Sequence, residues 1–241
     1  MKIRSEISWF EQALRGQGSR KRAAGEKKYL KSNLDFAGVP VPDIRKLVNA
    51  WLREHPELDR RDLTRLVRAL WRRRLHVLRA VALILLQRRG ALLEAEDLPL
   101  LESMLRRSFT WAYVDAIAAH TVGALVERHP ALHEELDRWA SDEDFWIRRS
   151  AILALLGPLR RGEGDWPRFV RYADPMLEEK EFFIRKAIGW VLREVSKKDP
   201  ERVFRYLRPR TDRVSGLTLR EGSKYLPAEQ HEELLAAYRG S

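Results

Sequence analysis

Apolar residues recur at spacings of three and four along most of the chain, and this spacing predicts helices. Leu63, Leu66, Val67, Leu70 and Trp71 form one such stripe. The two-residue alternation typical of a half-buried strand is absent, and runs of β-branched residues are short. The pattern therefore predicts an all-α protein.

Proline-containing breaks divide the helical segments. Proline disfavours helical geometry in the residue before it, so each break predicts the end of one helix and the start of another. Three breaks lie in similar segments, LREHPEL, VERHPAL and SKKDPERV, whose prolines are 74 and 70 residues apart. Half of each interval is close to the roughly 40-residue unit of HEAT-type repeats. The predicted breaks are Gly38-Val39-Pro40, His55-Pro56, His129-Pro130, Gly157-Pro158 and Asp199-Pro200.

A second repeat supports the first. FWIRRSAILALL begins at Phe145 and FFIRKAIGWVLR begins at Phe182, 37 residues later, and LRAVALILL from Leu78 is a weaker copy. A helical pair cannot bury its own apolar face, so neighbouring pairs must stack. The sequence predicts one domain, residues 1–241, built as a curved α-solenoid of about six HEAT-like helical pairs. Its concave side would bind something long, although such arrays also serve only as scaffolds for other proteins.

Charge narrows the choice of partner. The chain carries 46 Lys and Arg against 35 Asp and Glu, a net charge of +11. Such an excess indicates a polyanion as partner, while the alternative is a solvated surface without a partner. Two segments concentrate the cations: Arg20, Lys21, Arg22, Lys27, Lys28 and Lys31 in one, and Arg72, Arg73, Arg74, Arg79, Arg88 and Arg89 in the other.

Several classes of protein are disfavoured by the composition. No apolar run approaches the roughly 18 residues of a membrane span, and the first residues lack the apolar region of a secretory signal. The absence of cysteine excludes disulfides, zinc–thiolate sites and thiol nucleophiles. No metal-ligand motif or glycine-rich phosphate loop occurs. We therefore expect a cytoplasmic protein that needs no metal or cofactor and does not bind a membrane.

The helix from Phe182 carries an unusual stripe. Lys186, Trp190 and Arg193 share one helix face, and two cations beside a tryptophan are a poor core stripe but a suitable surface for phosphate and sugar. Gly189 would let a neighbouring backbone come close. The aligned helix from Phe145 carries arginines at the matching positions, Arg148 and Arg149.

A carboxylate lies in the mostly apolar stretch SFTWAYVDAIAAH. Trp111 and Asp115 are four residues apart and share a helix face. Placing a carboxylate in an apolar run costs free energy unless the carboxylate is paired, so its presence here calls for an explanation. Core packing would explain the tryptophan, and an ion pair with an arginine would explain the aspartate. A basic concave surface favours a functional interpretation of the pair.

These motifs together resemble the AlkD-like DNA alkylation repair family, over nearly the whole chain. The resemblance implies HEAT-like repeats arranged as a C-shaped clamp on duplex DNA. It also implies hydrolytic removal of N3- and N7-alkylated purines. The matching segments are KKYLKSNLDFAGVPVPDIRKL (27–47), LW (70–71), TWAYVD (110–115), DEDFWIRRSAIL (142–153) and KEFFIRKAIGWVLREVSKKDP (180–200).

The resemblance assigns roles to particular residues. The catalytic group corresponds to Asp115, Trp111, Trp190 and Arg149, and the aromatic residue that meets the DNA backbone corresponds to Tyr29. The neighbouring and aligned cations are expected to bind DNA with it: Lys28, Arg148, Lys186 and Arg193. One departure is Val77, which occupies the place of a glutamate that the family usually carries after the LW pair.

The chemistry of the lesion explains why these residue types suit the reaction. An N3- or N7-alkylated purine is a cationic leaving group, so the sugar becomes oxocarbenium-like as the glycosidic bond stretches. We expect the Asp115 carboxylate to stabilise that charge and orient the water. We expect the faces of Trp111 and Trp190 to attract the cationic nucleotide. We also expect Arg149 to hold a phosphate near the lesion.

Other interpretations keep the same basic surface. The predicted partner is double-stranded DNA containing alkylated purines, bound by a monomer of bacterial origin associated with the nucleoid. The first alternative is a non-catalytic HEAT-repeat protein that binds bent or branched DNA and has no need of Asp115. The second alternative is a scaffold for other proteins, which would lack salt-sensitive affinity for DNA.

Overall fold

A computed structural model describes residues 1–240, so Ser241, the last residue of the predicted domain, lies outside the described residues. The described chain contains helices and no β-strand, and the predicted all-α class is confirmed. An isolated bridge pairs Asp35 with Leu75. None of the described helices combines the length and apolar character that crossing a membrane requires.

The chain forms two compact units, Met1–Ile117 and Ala118–Ser241. Each unit has its own buried core. The assignment of residues 1–241 to one curved domain stays a prediction.

The first unit contains seven α-helices among its residues. Helix α5 forms the centre of the core, because every residue from Val77 to Leu86 is buried. Helices α3 and α4 pack against α5, and α1 packs against α4. The helices are α1 (Ile3–Leu14), α2 (Arg20–Leu30), α3 (Val41–Glu54), α4 (Arg60–Trp71), α5 (His76–Arg89), α6 (Leu98–Arg106) and α7 (Trp111–Ala116), with 3₁₀ turns at Gly90–Leu92 and Ala95–Asp97.

In the second unit, α10 and α15 both pack against α13. Helix α7 is followed by a π-helical segment, Ile117–Val122, and π turns recur at functional sites. The other helices are α8 (Gly123–Arg128), α9 (His133–Trp139), α10 (Phe145–Ala154), α11 (Leu156–Arg160), α12 (Trp166–Met176), α13 (Phe182–Ser196), α14 (Pro200–Leu207), α15 (Gly216–Gly222) and α16 (Ala228–Gly240), with 3₁₀ turns at Pro130–Leu132 and Arg208–Arg210.

The repeated I-R and L-R pairs have a shared structural role. Ile147, Ile184 and Leu78 are fully buried. The arginine after each reaches back six residues and donates to a backbone carbonyl before its helix. Arg79 donates to Arg73 O at 2.8 Å, Arg148 to Asp142 O at 2.6 Å and Arg185 to Glu179 O at 2.6 Å. The sequence repeat therefore corresponds to a repeated hydrogen bond that fixes the start of a helix.

One predicted break is wrong. Gly157-Pro158 does not end a helix but lies within α11, which continues from α10 after a turn at Leu155. Pro158 is the third residue of α11, where the backbone N–H has no intrahelical acceptor, so proline removes no helical hydrogen bond. The helix ends at Arg160, before two glycines with positive φ, Gly162 and Gly164.

The close approach predicted at Gly189 is confirmed. A Cβ atom at this position would lie 2.8 Å from Glu221 Cβ and 3.3 Å from the Thr218 Cα. Real Cβ atoms do not approach so closely in a packed interior. Glycine therefore allows α13 and α15 to cross at short range.

Candidate nucleic-acid interface

Helix α7 holds Trp111 and Asp115 at the edge of the first unit. Between them, Tyr113 and Val114 are buried and anchor the helix, while Trp111 and Asp115 are half-buried. The Tyr113 hydroxyl donates to His76 O at 2.9 Å, and burial raises the pKa of that phenol well above its usual range. The anchor leaves Trp111 and Asp115 on one partly open face.

Tyr29 from α2 meets Trp111 from α7. The two rings make an edge-to-face contact with 5.6 Å between centroids. The Thr110 hydroxyl donates to Leu30 O at 3.3 Å, which ties the end of α2 to the start of α7. Tyr29 keeps 69% of its surface exposed. Two aromatic residues that the sequence predicts to act on DNA therefore lie together.

Helix α2 is the least buried of the first unit's helices. It contains no buried residue, and it is capped by Ser19, the residue before it, whose side chain accepts a hydrogen bond from Arg22 N. A helix that is polar on every side is weakly held by its own unit. Within residues 1–240, Arg22 is paired with Glu26, while the other cations of this segment form no ion pair. Those unpaired cations are Arg20, Lys21, Lys27, Lys28 and Lys31.

Gly38 fixes the start of α2. Its φ of +70° favours glycine, and a Cβ here would lie 2.3 Å from Ser19 O. Ser19 N donates to Gly38 O at 3.2 Å. This close contact positions the cationic helix without burying any of its side chains.

The net charge is concentrated in the first unit. Met1–Ile117 carries 24 Lys and Arg against 14 Asp and Glu, a net of +10, whereas Ala118–Ser241 carries 22 against 21, a net of +1. Among residues 1–240, five of the 24 cations of the first unit form ion pairs. The unpaired cations, whose positive field would attract a polyanion, therefore lie mainly in the first unit.

The two arginines of α10 lie largely inside the second unit. Arg149 is 2% exposed, and its guanidinium donates to Phe183 O and lies 5.9 Å from the Phe183 ring centroid. Arg148 donates to both Glu179 oxygens at 3.0 and 2.8 Å and to two backbone carbonyls. Bidentate pairing of this kind holds the guanidinium in place. Arg148 therefore has an intramolecular role.

The three residues of the predicted stripe on α13 differ in their exposure and ion pairing. Lys186 is exposed, 5.8 Å from the ring centroid of Phe182, which is itself 51% exposed. Trp190 is half-buried. Arg193 is paired with Glu221 and lies 3.8 Å from Glu194. Lys186 and Trp190 remain accessible to a ligand, whereas the Arg193 charge is balanced within the unit.

The residues packed beneath α7 were not predicted from the sequence. His76 stacks on Tyr113 at 5.2 Å and on Phe36 at 4.5 Å, and burial beside Arg79 lowers the pKa of His76 to about 4. Val77, the departure from the family pattern, is buried and borders a cavity of about 330 Å³ beside Leu14 and Leu75. The run of arginines before His76 indicated a charged surface in the sequence and gave no sign of this packing.

The family model described as DNA alkylation repair enzyme matches residues 10–226. The chain belongs to this family. The family assignment indicates a role in the repair of alkylated DNA, in agreement with the resemblance in the sequence. No curated protein sequence matches the chain.

Three solved structures have a similar fold. One, described as a predicted DNA alkylation repair enzyme from Enterococcus faecalis, is 27% identical with a TM-score of 0.80, over 89% of this chain and 99% of its own. The smu.31 protein of Streptococcus mutans UA159 is 15% identical with a TM-score of 0.59, over 86% of this chain and 98% of its own. AlkD2 from Streptococcus mutans is 14% identical with a TM-score of 0.53, over 91% of this chain and 96% of its own. The last two support the fold alone.

Proposed function

We propose that this protein is a DNA glycosylase that hydrolyses the N-glycosidic bond of cationic N3- and N7-alkylated purines in duplex DNA. The observation that carries the proposal is the arrangement within the first unit. Helix α7 presents Trp111 and Asp115, Tyr29 contacts Trp111, and the unpaired cations of α2 continue from Tyr29. Family membership supports the substrate class.

The positive charge of the substrate determines what the protein must supply. The alkylated base is already a good leaving group, so its departure needs little acid catalysis. As the bond breaks, charge develops on the sugar, and the Asp115 carboxylate stabilises that charge and orients the attacking water. Fixed charges placed where charge develops contribute most when water is excluded, and Asp115 is half-buried.

The aromatic residues bind the cationic nucleotide. A cation over an indole face gains roughly 0.5 to 2 kcal/mol, depending on how far it is desolvated. Trp111 makes an edge-to-face contact with Tyr29, and we expect this contact to favour one orientation of the indole. Trp190 is half-buried on α13 and supplies a second indole. Arg149, fixed by the carbonyl of Phe183, is assigned to a phosphate near the lesion.

DNA is held mainly through its backbone in this proposal. Lys27, Lys28 and Lys31 are exposed and unpaired within residues 1–240, and Tyr29 lies among them. Lysine contacts to phosphate release counter-ions, so affinity should fall steeply with salt. Lys186 on α13 is assigned the same role. The protein acts as a monomer without a cofactor.

The direct test measures release of 7-methylguanine from methylated duplex DNA by the purified protein. Retention of the same duplex is measured in parallel. Release by the wild-type protein supports the glycosylase. Salt-sensitive retention without release would favour a DNA-binding array without catalytic activity. One observation favours this alternative: the guanidinium of Arg149 is buried and donates a hydrogen bond within the protein. Neither retention nor release would contradict both.

A further inference from the structure

Phe109 has a backbone conformation that is unusual for a bulky residue. It lies between the end of α6 and the start of α7, and its φ is +57°. This left-handed region is disfavoured for side chains with a Cβ and is most often occupied by glycine. A strained residue persists only where its surroundings fix it, and such residues cluster at functional sites.

The neighbours of Phe109 supply that constraint. Ser108 is buried, and its hydroxyl donates to Met104 O at 3.0 Å. Thr110 is buried, and its hydroxyl donates to Leu30 O. The residue between them is turned outward, with 45% of its surface exposed. The strain therefore serves to present a large apolar ring to solvent, two residues before Trp111.

Arg79 supports the ring from inside the unit. Its guanidinium carbon lies 5.3 Å from the Phe109 ring centroid and 5.0 Å from that of Trp71. It is 3% exposed, and it donates to Arg73 O at 2.8 Å and Arg107 O at 2.5 Å. One face of the ring therefore rests on a fixed cation, and the exposed part lies elsewhere.

Arg79 is a buried cation without an acidic partner in the part of the chain that the structure describes. No carboxylate forms an ion pair with Arg79 among residues 1–240. Burial lowers the pKa of its guanidinium, the direction expected for a cation removed from water without an acidic partner. A buried cation lacking a carboxylate is costly to fold. A polyanion bound over Phe109 would supply the missing negative charge.

We propose that Phe109, seated on Arg79, is a stacking platform that contacts the apolar face of a nucleotide beside the site of chemistry. The contact is with a deoxyribose or with an unstacked base of the bound strand. Aromatic platforms of this kind bind nucleotides with little regard for sequence. The inference rests on the proposed function for the identity of the substrate but requires only that the first unit binds DNA.

The first experiment compares Phe109→Gly with Phe109→Tyr. Glycine removes the ring and accepts the positive φ, so we expect Phe109→Gly to remain folded, with a melting temperature within a few degrees of the wild type. Its affinity for a methylated duplex should fall by about 5- to 150-fold, the range for loss of one base–aromatic contact. Phe109→Tyr keeps the ring and should bind within about twofold of the wild type.

A matched control is Trp9→Ala, because Trp9 is an exposed aromatic of α1 with ordinary helical backbone. It should not change DNA affinity. If Phe109→Gly binds like the wild type, or loses stability while the folded fraction binds unchanged, the ring only packs on Arg79 and the proposal is overturned. 2-Aminopurine beside the lesion distinguishes the contacts, since fluorescence rises only when a base is unstacked.

A second measurement reports the contact directly and requires only that the labelled protein binds the duplex. p-Benzoylphenylalanine placed at position 109 should crosslink to duplex DNA on irradiation, whereas the same group at position 9 should not. Equal crosslinking at both positions, or none at 109 while the duplex is bound, overturns the proposal. Binding without base release by the wild type would sink the glycosylase but leave the Phe109 contact standing. Absence of duplex binding would sink both.

Discussion

The two units carry almost equal numbers of cations but use them differently. The first unit has a net charge of +10 and the second +1. In the second unit at least thirteen of 22 cations form ion pairs, among them Arg148 with Glu179 and Arg210 with Asp174. In the first unit, α2 and Lys31 directly after it present five cations that are unpaired within residues 1–240. A count of basic residues thus does not identify the surface available to DNA.

The contrast extends to packing. Asp137 accepts a hydrogen bond from Tyr172, and Asp174, 37 residues later, accepts one from Tyr206. The second unit thereby uses its polar residues to join successive repeats. The first unit leaves α2 without a buried side chain. If the proposed function holds, we expect DNA to bind chiefly to the first unit, while the polar residues of the second unit chiefly stabilise its own packing.

The largest expected effect is on catalysis. Asp115→Asn keeps the size of the side chain but removes the negative charge, so single-turnover release of 7-methylguanine should fall by about 10²- to 10³-fold or more. Binding of the methylated duplex, measured by fluorescence anisotropy, should change by less than about threefold. The matched control is Asp137→Asn, in the second unit. If Asp115→Asn releases the base as fast as the wild type, Asp115 has no part in the chemistry.

The next effect tests the cations directly. Replacing Lys27, Lys28 and Lys31 with Ala should weaken duplex binding by about 10- to 100-fold at 0.1 M salt and reduce the salt slope by about 3. The control replaces three paired arginines of α14 and its end, of which one is half-buried and two are exposed, and its salt slope should stay near that of the wild type. Equal losses in both variants would remove the distinction between the units. The control residues are Arg202, Arg205 and Arg208.

Two glycine-to-alanine substitutions should change the folding stability in opposite directions. Gly189→Ala places a Cβ 2.8 Å from Glu221 Cβ and should destabilise the protein by about 1–3 kcal/mol. Gly25→Ala, in the middle of α2 with nothing within 4 Å, should stabilise that helix by about 0.5–1 kcal/mol. Urea denaturation measures the first, and hydrogen exchange in α2 measures the second. A destabilising Gly25→Ala would show that α2 is more closely packed than its exposure indicates.

The last expected effect is a small loss of folding stability as the pH falls. The pKa of His76 is lowered to about 4 in the folded protein from an ordinary value of 6.5, so the unfolded chain binds its proton first as pH falls. Its contribution to stability is complete above pH 6.5 and is lost towards pH 4. Between pH 7.5 and 5.5 we expect a loss of about 1 kcal/mol that is absent in His76→Asn. Urea denaturation at both pH values measures it, and identical losses would exclude His76.

Sequence periodicity predicted the helices and the close approach at Gly189 because both follow from side-chain size and spacing. It could not separate Arg148 from Lys186, since pairing depends on the distant Glu179. Pro158 misled because proline is tolerated in the first turn of a helix. Phe109 left no signal at all, because a positive φ in a bulky residue is a property of the folded chain.

Hydrogen exchange of the whole protein with and without methylated duplex tests the central claim most directly. The claim is that DNA is bound through α2 and the Tyr29–Trp111 pair. We predict that the amides of Arg20–Leu30 and of the start of α7 become strongly protected when the duplex binds, while those of Pro200–Leu207 do not change. Protection confined to Pro200–Leu207, with α2 unchanged, would contradict the account.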